Sequence, residues 1–201
     1  MKASGIILAG GQSSRMGKNK ALLDIDGKTN IERIKDRLQT VFPEVLLVAN
    51  HIEQYEFLKI PIVQDVYPGK GPLAGIHSGL KASSHDINFF VACDMPFISA
   101  ELARYFVSVS EGYDAVVPKI NGKIHPLFSV FHKSVLPLIE SRLIEDRLVI
   151  KNLLDDLNVR VLDEKDLTQD KFPHNLERVF YNMNYPSDYE NVKKWALSSD
   201  Y

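Results

Sequence analysis

The chain has 201 residues, a length that favours one large domain and is enough to bury a sizeable core. With 45% hydrophobic and 25% charged residues and a net charge of −2, the composition is that of an ordinary globular protein. It excludes a disordered chain, a collagen and a basic protein that coats polyanions. No apolar run approaches the roughly 18 residues of a membrane span, and no secretory h-region follows Met1 and Lys2. Cys93 is the only cysteine, which excludes a disulfide within the chain and fits a reducing cytoplasm, so we expect a cytoplasmic protein.

The first two thirds of the chain alternate short β-branched apolar runs with helical periodicity, which is the pattern of a mostly parallel sheet covered by helices. Four apolar runs predict buried strands at residues 3–8, 44–50, 60–64 and 87–93. Apolar residues at helical spacing predict two helices between these strands, one carrying Ile31, Ile34, Leu38 and Val41 and one carrying Leu73, Ile76 and Leu80. Ser99 is the predicted N-cap of a third helix, with Leu102, Phe106 and Val109 on its apolar side.

From Asp114 onward the pattern predicts an antiparallel excursion. Asn121-Gly122 lies between the apolar runs 115–120 and 123–131, and this dipeptide readily adopts the positive φ angles of a two-residue hairpin turn. Helices are predicted over 134–146 and 149–157, and strands near 159–162 and 178–183. Ser187 and Glu190 have the spacing of a capping box for a last helix that runs to about residue 198. Since no linker or repeat divides the chain, we predict a single α/β domain over residues 1–201.

The loop after the first predicted strand has the character of a phosphate-binding loop. Residues 8–20 (LAGGQSSRMGKNK) contain three glycines, three cations and no acid, so the backbone can approach a phosphate chain and the cations can neutralise it. The alternative interpretation is a flexible turn with a solvated basic face. The stretch is not a P-loop, because five residues separate Gly11 from Gly17 and Asn19 follows Lys18. A loose dinucleotide pattern, G-x-G-x-x-A, occurs only at residues 69–74, away from the preceding strand.

Polar residues follow three of the predicted strands at the point where each strand ends. They are Asn50, Asp65 and Asp94. Because the carboxyl ends of parallel strands form the ligand-binding edge of an open sheet, we expect these side chains to face a common crevice. A carboxylate opposite a cationic loop suits Mg²⁺, which takes one or two carboxylates and leaves its other positions to water and phosphate oxygens. The alternative is that these residues only end strands or cap helices, as Asx residues often do.

Three segments together resemble the molybdenum cofactor guanylyltransferases, also called molybdopterin-guanine dinucleotide synthases, of the nucleotidyltransferase superfamily. The segments are residues 8–23 (LAGGQSSRMGKNKALL), 71–76 (GPLAGI) and 93–97 (CDMPF). Residues 125–128 (HPLF) and 182–184 (NMN) resemble later family motifs, so the resemblance spans nearly the whole chain. It implies a three-layer Rossmann-like fold in which residues 1–98 mainly bind the nucleotide and residues 99–201 mainly face the acceptor. The chain departs from the family at Asn19, where aspartate is usual, and at Tyr185, where a small residue is usual.

The resemblance implies transfer of GMP from GTP to the terminal phosphate of molybdopterin, with release of pyrophosphate. It places GTP contacts at Leu8, Ala9, Gly10, Lys20, Asn50, Asp65 and Asp94, with Asp94 also holding Mg²⁺. We assign catalytic roles to Arg15, Lys20 and Asp94, the two cations acting on the charge of the triphosphate. The implied partners are GTP and molybdopterin, together with other proteins of cofactor biosynthesis or the molybdoenzymes that receive the product. Neither a nucleic acid nor a membrane is an expected partner.

The charge distribution and the absence of an evident base fit this chemistry. Residues 1–20 hold four cations and no acid, which leaves 20 − 26 = −6 for the rest of the chain and disfavours indiscriminate nucleic-acid binding. A phosphate monoester is mostly dianionic at neutral pH, so a phosphate nucleophile requires no catalytic base. The six histidines show no paired spacing typical of metal ligands, and Cys93 is disfavoured as a nucleophile because it closes an apolar strand.

Three other functions stay open at this point. A cytidylyltransferase acting on molybdopterin or on a sugar-alcohol phosphate would share the first motif. An NAD-dependent oxidoreductase would require the pattern at residues 69–74 to bind a dinucleotide. A non-catalytic module would bind the nucleotide without releasing pyrophosphate.

Overall fold

The computed structural model describes residues 2–10, 17–167, 172 and 175–197. In chain order its strands are β1 (Ala3–Leu8), β2 (Asp24–Ile25), β3 (Lys28–Thr29), β4 (Glu44–Val48), β5 (Ile62–Val63), β6 (Ile87–Ala92), β7 (Ala115–Ile120), β8 (Lys123–Ile124), β9 (Phe128–His132) and β10 (Val159–Asp163). Its α-helices are α1 (Asn30–Gln39), α2 (Gly71–Ala82), α3 (Ala100–Ser108), α4 (Leu136–Ile144), α5 (Ile150–Leu154), α6 (Leu176–Val179) and α7 (Pro186–Ala196). Among these helices of the described ranges, none has the length and apolarity needed to span a bilayer.

The strands form a mixed sheet in the order β10-β7-β9-β6-β1-β4-β5, with β8 paired to β7 and β2 paired to β3 in a separate hairpin. Strand β1 lies between β4 and β6 and is parallel to both, and β4–β5 and β7–β10 are parallel as well. Strand β9 runs antiparallel to β6 and β7. The predicted α/β fold, with a mostly parallel sheet and an antiparallel excursion in its second half, is therefore confirmed.

Helices cover both faces of the sheet because the side chains of β1 alternate between two apolar cores. Ala3 and Ile7 pack with α1 and α3 on one face, and Ile6 and Leu8 pack with α2, α4 and α5 on the other. A third, smaller cluster contains Ile25, Phe97, Met183 and Val192 and joins the β2–β3 hairpin to α7. The last helix is thereby held beside the segment that follows β6.

The turn chemistry read from the sequence is confirmed at two places. Asn121 and Gly122 have φ angles of 50° and 74°, and they connect β7 to the antiparallel β8. Ser99 caps α3, its side chain accepting a hydrogen bond from the backbone N–H of Leu102. The run 123–131 is nevertheless not one strand, because the segment around Pro126 turns and the chain resumes pairing only at Phe128.

Two predictions for the C-terminal segment are wrong. Residues 178–183 form no strand, because the Asn175 side chain accepts hydrogen bonds from the backbone N–H groups of Glu177 and Arg178 and so begins the short helix α6. The start of α7 is held by Asp188 rather than by a box of Ser187 and Glu190. The Asp188 carboxylate accepts 2.8 Å hydrogen bonds from the backbone N–H groups of Asn184 and Tyr185.

Candidate active site

A cleft of about 680 Å³ opens at the carboxyl ends of β1, β4, β5 and β6, as expected for an open α/β sheet. All seven residues predicted to bind the nucleotide line it: Leu8, Ala9, Gly10, Lys20, Asn50, Asp65 and Asp94. The predicted catalytic residue Arg15 lies outside the described residues. The structure thus brings the described candidates together, and their individual roles stay predictions.

The floor of the cleft is the continuation of the central strands. The backbone N–H of Cys93 donates to the Leu8 carbonyl over 3.0 Å, and that of Ala9 donates to the Val48 carbonyl over 2.9 Å. These bonds extend the pairing of β1 with its two neighbours past the formal strand ends. Residues 8–10 therefore enter the cleft in a fixed register, with Gly10 exposed at its rim.

Asn50 and Asp65 form a reciprocal pair that joins the ends of β4 and β5. The Asn50 amide donates to Asp65 Oδ2 over 2.9 Å, and its Oδ1 accepts from the Asp65 backbone N–H over 3.1 Å. Both helix α2 and the loop after β1 approach this pair closely. A Cβ atom added at Gly75 would lie 3.1 Å from Leu8 Cδ2 and 3.9 Å from Asp65 Oδ1, so glycine keeps this end of the cleft open.

Lys20 reaches the cleft from a short 3₁₀ turn, Lys20–Leu22, that is capped by Asn19. The Asn19 Oδ1 atom accepts a 3.1 Å hydrogen bond from the backbone N–H of Ala21, and its amide donates over 2.9 Å to both Gln54 Oε1 and the Tyr55 hydroxyl. Burial raises the pKa of Tyr55, so its hydroxyl stays protonated. Asn19 therefore anchors the start of the 3₁₀ turn to Gln54 and Tyr55, which line the opposite wall of the cleft.

The side chain of Lys20 is oriented from the far end of the chain. Its Nζ atom donates a 2.8 Å hydrogen bond to Asn184 Oδ1. Asn184 lies in the segment before α7, whose neighbouring residue Met183 donates its backbone N–H to the Asp94 carbonyl over 2.8 Å. One C-terminal segment thus contacts both the lysine and the aspartate of the cleft.

Asp94 has a carboxylate oxygen to which no described residue donates a hydrogen bond. Its Oδ1 atom is buried and has no hydrogen-bond partner among the described residues. Burial raises the pKa of Asp94, and the positive charge of Lys20 partly opposes this rise. A cation bound next to a buried carboxylate stabilises its charged form. The site therefore suits a ligand that carries a positive charge or binds together with a cation.

The donor set decides which class of metal ion the cleft could hold. In the described ranges, no group of three or more His, Cys, Asp or Glu side chains is arranged to hold a metal ion. A closed zinc site needs four such ligands, whereas Mg²⁺ binds through one or two carboxylates and completes its coordination with water and phosphate oxygens. The unpartnered oxygen of Asp94 therefore fits Mg²⁺ bound together with a phosphate substrate.

The structure disfavours two alternative chemistries, a cysteine nucleophile and a dinucleotide-binding glycine loop. Burial raises the pKa of the Cys93 thiol to about 12, so the thiolate is scarce at neutral pH. Gly69 and Gly71 have φ angles of 79° and 68° and line the cleft, but residues 64–68 separate them from β5. A dinucleotide fingerprint has its glycines directly after the strand, so this pattern is a loop entrance to α2.

Several cleft residues were missed by the sequence reasoning. His51, Gln54 and Tyr55 line the cleft from the segment between β4 and β5, which has no motif and only short 3₁₀ turns. Leu127 lines it from the loop before β9. The one available signal was that this loop carries the family motif at residues 125–128, which places it near the site.

Comparison with known proteins matches this chain to a family and to individual relatives. Residues 5–161 match the model of the MobA-like NTP transferase domain. The chain is 39% identical over 190 residues to a probable molybdenum cofactor guanylyltransferase of Carboxydothermus hydrogenoformans, covering 94% of this chain and 93% of the relative. It is 37% identical over 199 residues to a protein of the same name from Pelotomaculum thermopropionicum, covering 99% and 96%.

A solved structure shares the fold. Molybdopterin-guanine dinucleotide biosynthesis protein A from Archaeoglobus fulgidus superposes with a TM-score of 0.82 at 24% identity, over 96% of this chain and 97% of that one. The overall fold of this chain is therefore that of a solved protein.

Proposed function

Because this chain belongs to the MobA-like NTP transferase domain family and is a nucleotidyltransferase, we propose that it transfers GMP from GTP to the terminal phosphate of molybdopterin and releases pyrophosphate. The names of its relatives support the choice of substrates. The structural observation that carries the proposal is that Lys20 and Asp94 line one cleft beside Gly10, and that the buried Oδ1 of Asp94 accepts no hydrogen bond from the described residues. A cation and a metal-binding carboxylate in this position suit a triphosphate.

Phosphoryl and nucleotidyl transfer depend on positioning and on neutralising charge rather than on covalent chemistry by the protein. In this proposal the Lys20 ammonium neutralises the triphosphate, and Asp94 holds Mg²⁺, which when bound withdraws charge from phosphate oxygens. The molybdopterin phosphate is already anionic at neutral pH, so no side chain has to remove a proton from it. Arg15 is proposed to assist Lys20.

The remaining predicted contacts orient the nucleotide. Leu8, Ala9 and Gly10 are held in register with β4 and β6, so their backbone groups offer a fixed surface. Asn50 and Asp65 are locked to each other, which leaves the cleft side of the Asp65 carboxylate as an acceptor for N–H groups of a base. Together with Lys20 and Asp94, these positions all lie within residues 1–98, which we propose as the nucleotide side, with residues 99–201 supplying the acceptor side.

The decisive experiment is a pyrophosphate-release assay with Mg²⁺, molybdopterin and each nucleoside triphosphate in turn. We expect release that depends on both GTP and molybdopterin, together with a guanine dinucleotide product. Equal or faster release with CTP would replace the proposal by a cytidylyltransferase. GTP binding without release under any condition would contradict catalysis and indicate a binding module.

A further inference from the structure

We propose that Asn30, a buried residue of α1 that does not line the cleft, is a positioning residue for the Mg²⁺ ligand Asp94. Its side-chain amide donates a 2.6 Å hydrogen bond to the carbonyl of Cys93, the residue directly before Asp94. This inference rests on the proposed function, because it assumes that Asp94 holds the metal.

The position of Asn30 is set by the start of its helix. Thr29 is the N-cap of α1 and forms a capping box with Glu32: the Thr29 side chain accepts from the Glu32 backbone N–H, and the Glu32 carboxylate accepts from that of Thr29. Asn30 is the first helical residue, and its own backbone N–H donates to the Leu23 carbonyl over 2.9 Å. The amide therefore projects from a backbone that is fixed on both sides.

Asn30 is a polar residue on an apolar helix face, which needs an explanation. It lies one helical turn before Ile34, and like Ile31, Ile34 and Leu38 it is fully buried. Its Oδ1 atom has no hydrogen-bond partner among the described residues, so the side chain bears a desolvation cost that an apolar residue would avoid. Among the described residues, the Cys93 carbonyl is the hydrogen-bond partner that accounts for an amide at this position.

That bond completes the fixation of the turn that carries Asp94. The Cys93 N–H donates to the Leu8 carbonyl, the Met95 N–H donates to the Ala92 carbonyl over 3.3 Å, and the Asp94 carbonyl accepts from the Met183 N–H. The Cys93 carbonyl is the remaining acceptor of this turn, and Asn30 occupies it. Asp94, which lines the cleft, is thereby held by a fixed backbone, and none of the described residues donates a hydrogen bond to its buried Oδ1 that would compete with a metal ion.

The chain offers a matched control in Asn88, at the opposite end of β6. Asn88 is also fully buried, its amide also donates to backbone carbonyls (His85 at 3.0 Å and Asp86 at 3.1 Å), and its Oδ1 also has no hydrogen-bond partner among the described residues. Asn30→Leu and Asn88→Leu make the same chemical change in similar surroundings. Only the first touches the turn of Asp94.

The test measures binding of a fluorescent GTP analogue with excess Mg²⁺ and with EDTA, so that the Mg²⁺-dependent gain in affinity is obtained without any catalytic assay. Partners that orient metal ligands typically change metal affinity 10- to 100-fold when they are removed. We expect Asp94→Asn to abolish the gain, Asn30→Leu to reduce it about tenfold, and Asn88→Leu to leave it at the wild-type value. If Asn30→Leu does not fold, Asn30→Ser and Asn88→Ser replace the leucine pair.

The outcomes separate the two proposals. Retention of the full gain by the Asn30 variant while Asp94→Asn loses it overturns the positioning role and leaves the proposed function intact. An equal loss in the Asn30 and Asn88 variants also overturns that role, because it would reflect general destabilisation. A wild-type protein without any Mg²⁺-dependent gain contradicts the metal site at Asp94, and with it the basis of this inference.

Discussion

The Nζ atom of Lys20 lies 2.8 Å from the Oδ1 atom of Asn184, so a side chain 164 residues further along the chain orients the cation of the loop after β1. The segment that carries Asn184 is itself anchored. The Asp188 carboxylate accepts hydrogen bonds from the backbone N–H groups of Asn184 and Tyr185. Burial acts to raise the pKa of Asp188, but these bonds, a hydrogen bond from Tyr181 and the charge of Lys20 together lower it. The C-terminal segment is therefore anchored next to the candidate active site, where it contacts Lys20 and the backbone of Asp94.

Replacing Asn184 by aspartate should weaken nucleotide binding. The added carboxylate would pair with the Lys20 ammonium and compete with phosphate for it, and we expect the KM for GTP to rise about tenfold, or about 1.4 kcal/mol. Steady-state kinetics of pyrophosphate release would measure this. Asn191→Asp on the exposed face of α7 makes the same charge change and should leave KM unchanged. Equal effects of the two variants would show that only the net charge matters.

Replacing Asp94 by asparagine should trade activity for stability. The raised pKa of Asp94 means that its charged form is disfavoured in the folded protein, so this site contributes stability at low pH that is lost as pH rises through the folded pKa. At neutral pH in EDTA the uncharged amide should therefore raise the Tm. Turnover with Mg²⁺ should fall about 100-fold or more, because a charge-stabilising group is lost.

Thermal unfolding in EDTA and turnover in Mg²⁺ together test this prediction. The conservative exchange keeps the size of the side chain, so an unfolded variant is not expected. A Tm below that of the wild type would mean that the Asp94 carboxylate is stabilised by the protein itself, and near-wild-type turnover would remove it from the mechanism.

The parts of the fold that followed from sequence are those in which local and tertiary preferences agree. Examples are β1, the apolar face of α2 and the Asn121-Gly122 turn. Each of them forms from the preferences of its own residues together with packing against one neighbouring layer. Residues 178–183 are predicted as a strand, but the cap at Asn175 begins α6, and the backbone N–H of Met183 donates to the Asp94 carbonyl instead of joining the sheet. A cap and a long-range contact outweighed the periodicity.

The candidate site likewise contains residues whose meeting could be predicted from the sequence and one residue, Asn30, whose role could not. Leu8, Asn50, Asp65 and Asp94 could be predicted to meet because topology brings the ends of parallel strands to one edge. Asn30 could not, because its role depends on a carbonyl 63 residues away and it stands on a helix face that is otherwise apolar. A polar residue inside an apolar periodicity was its only signal.

The buried histidine of α2 should make stability depend on pH. His77 is fully buried, its ring nitrogens have no hydrogen-bond partner among the described residues, and its Nε2 lies 3.6 Å from Glu140 Oε1. Burial lowers the pKa of His77, with Lys81 acting in the same direction and Glu140 opposing. The unfolded chain then binds more protons, so stability is lost as pH falls below about 6.5, the ordinary histidine pKa.

Urea unfolding at about pH 7.5 and about pH 5 tests this with His77→Leu, which removes the titrating group. The variant should lose less of its free energy of unfolding between the two pH values than the wild type does. His51→Leu serves as the control because the His51 side chain is 74% exposed. An identical pH dependence in the wild type and His77→Leu would exclude His77 as a source.

Cys93 should be dispensable for catalysis even though it lines the cleft next to Asp94. The residue is partly exposed, yet burial of its thiol raises its pKa to about 12, and the neighbouring Asp94 charge acts in the same direction. At pH 8 the thiolate that attacks disulfide reagents is therefore almost absent.

We expect Cys93→Ala to keep kcat within about threefold of wild type, since no covalent step is required. We also expect the native thiol to react with 5,5′-dithiobis(2-nitrobenzoate) far more slowly than the same thiol in urea. Rapid labelling of the native protein, or a 100-fold loss of kcat in Cys93→Ala, would restore the cysteine as a candidate nucleophile.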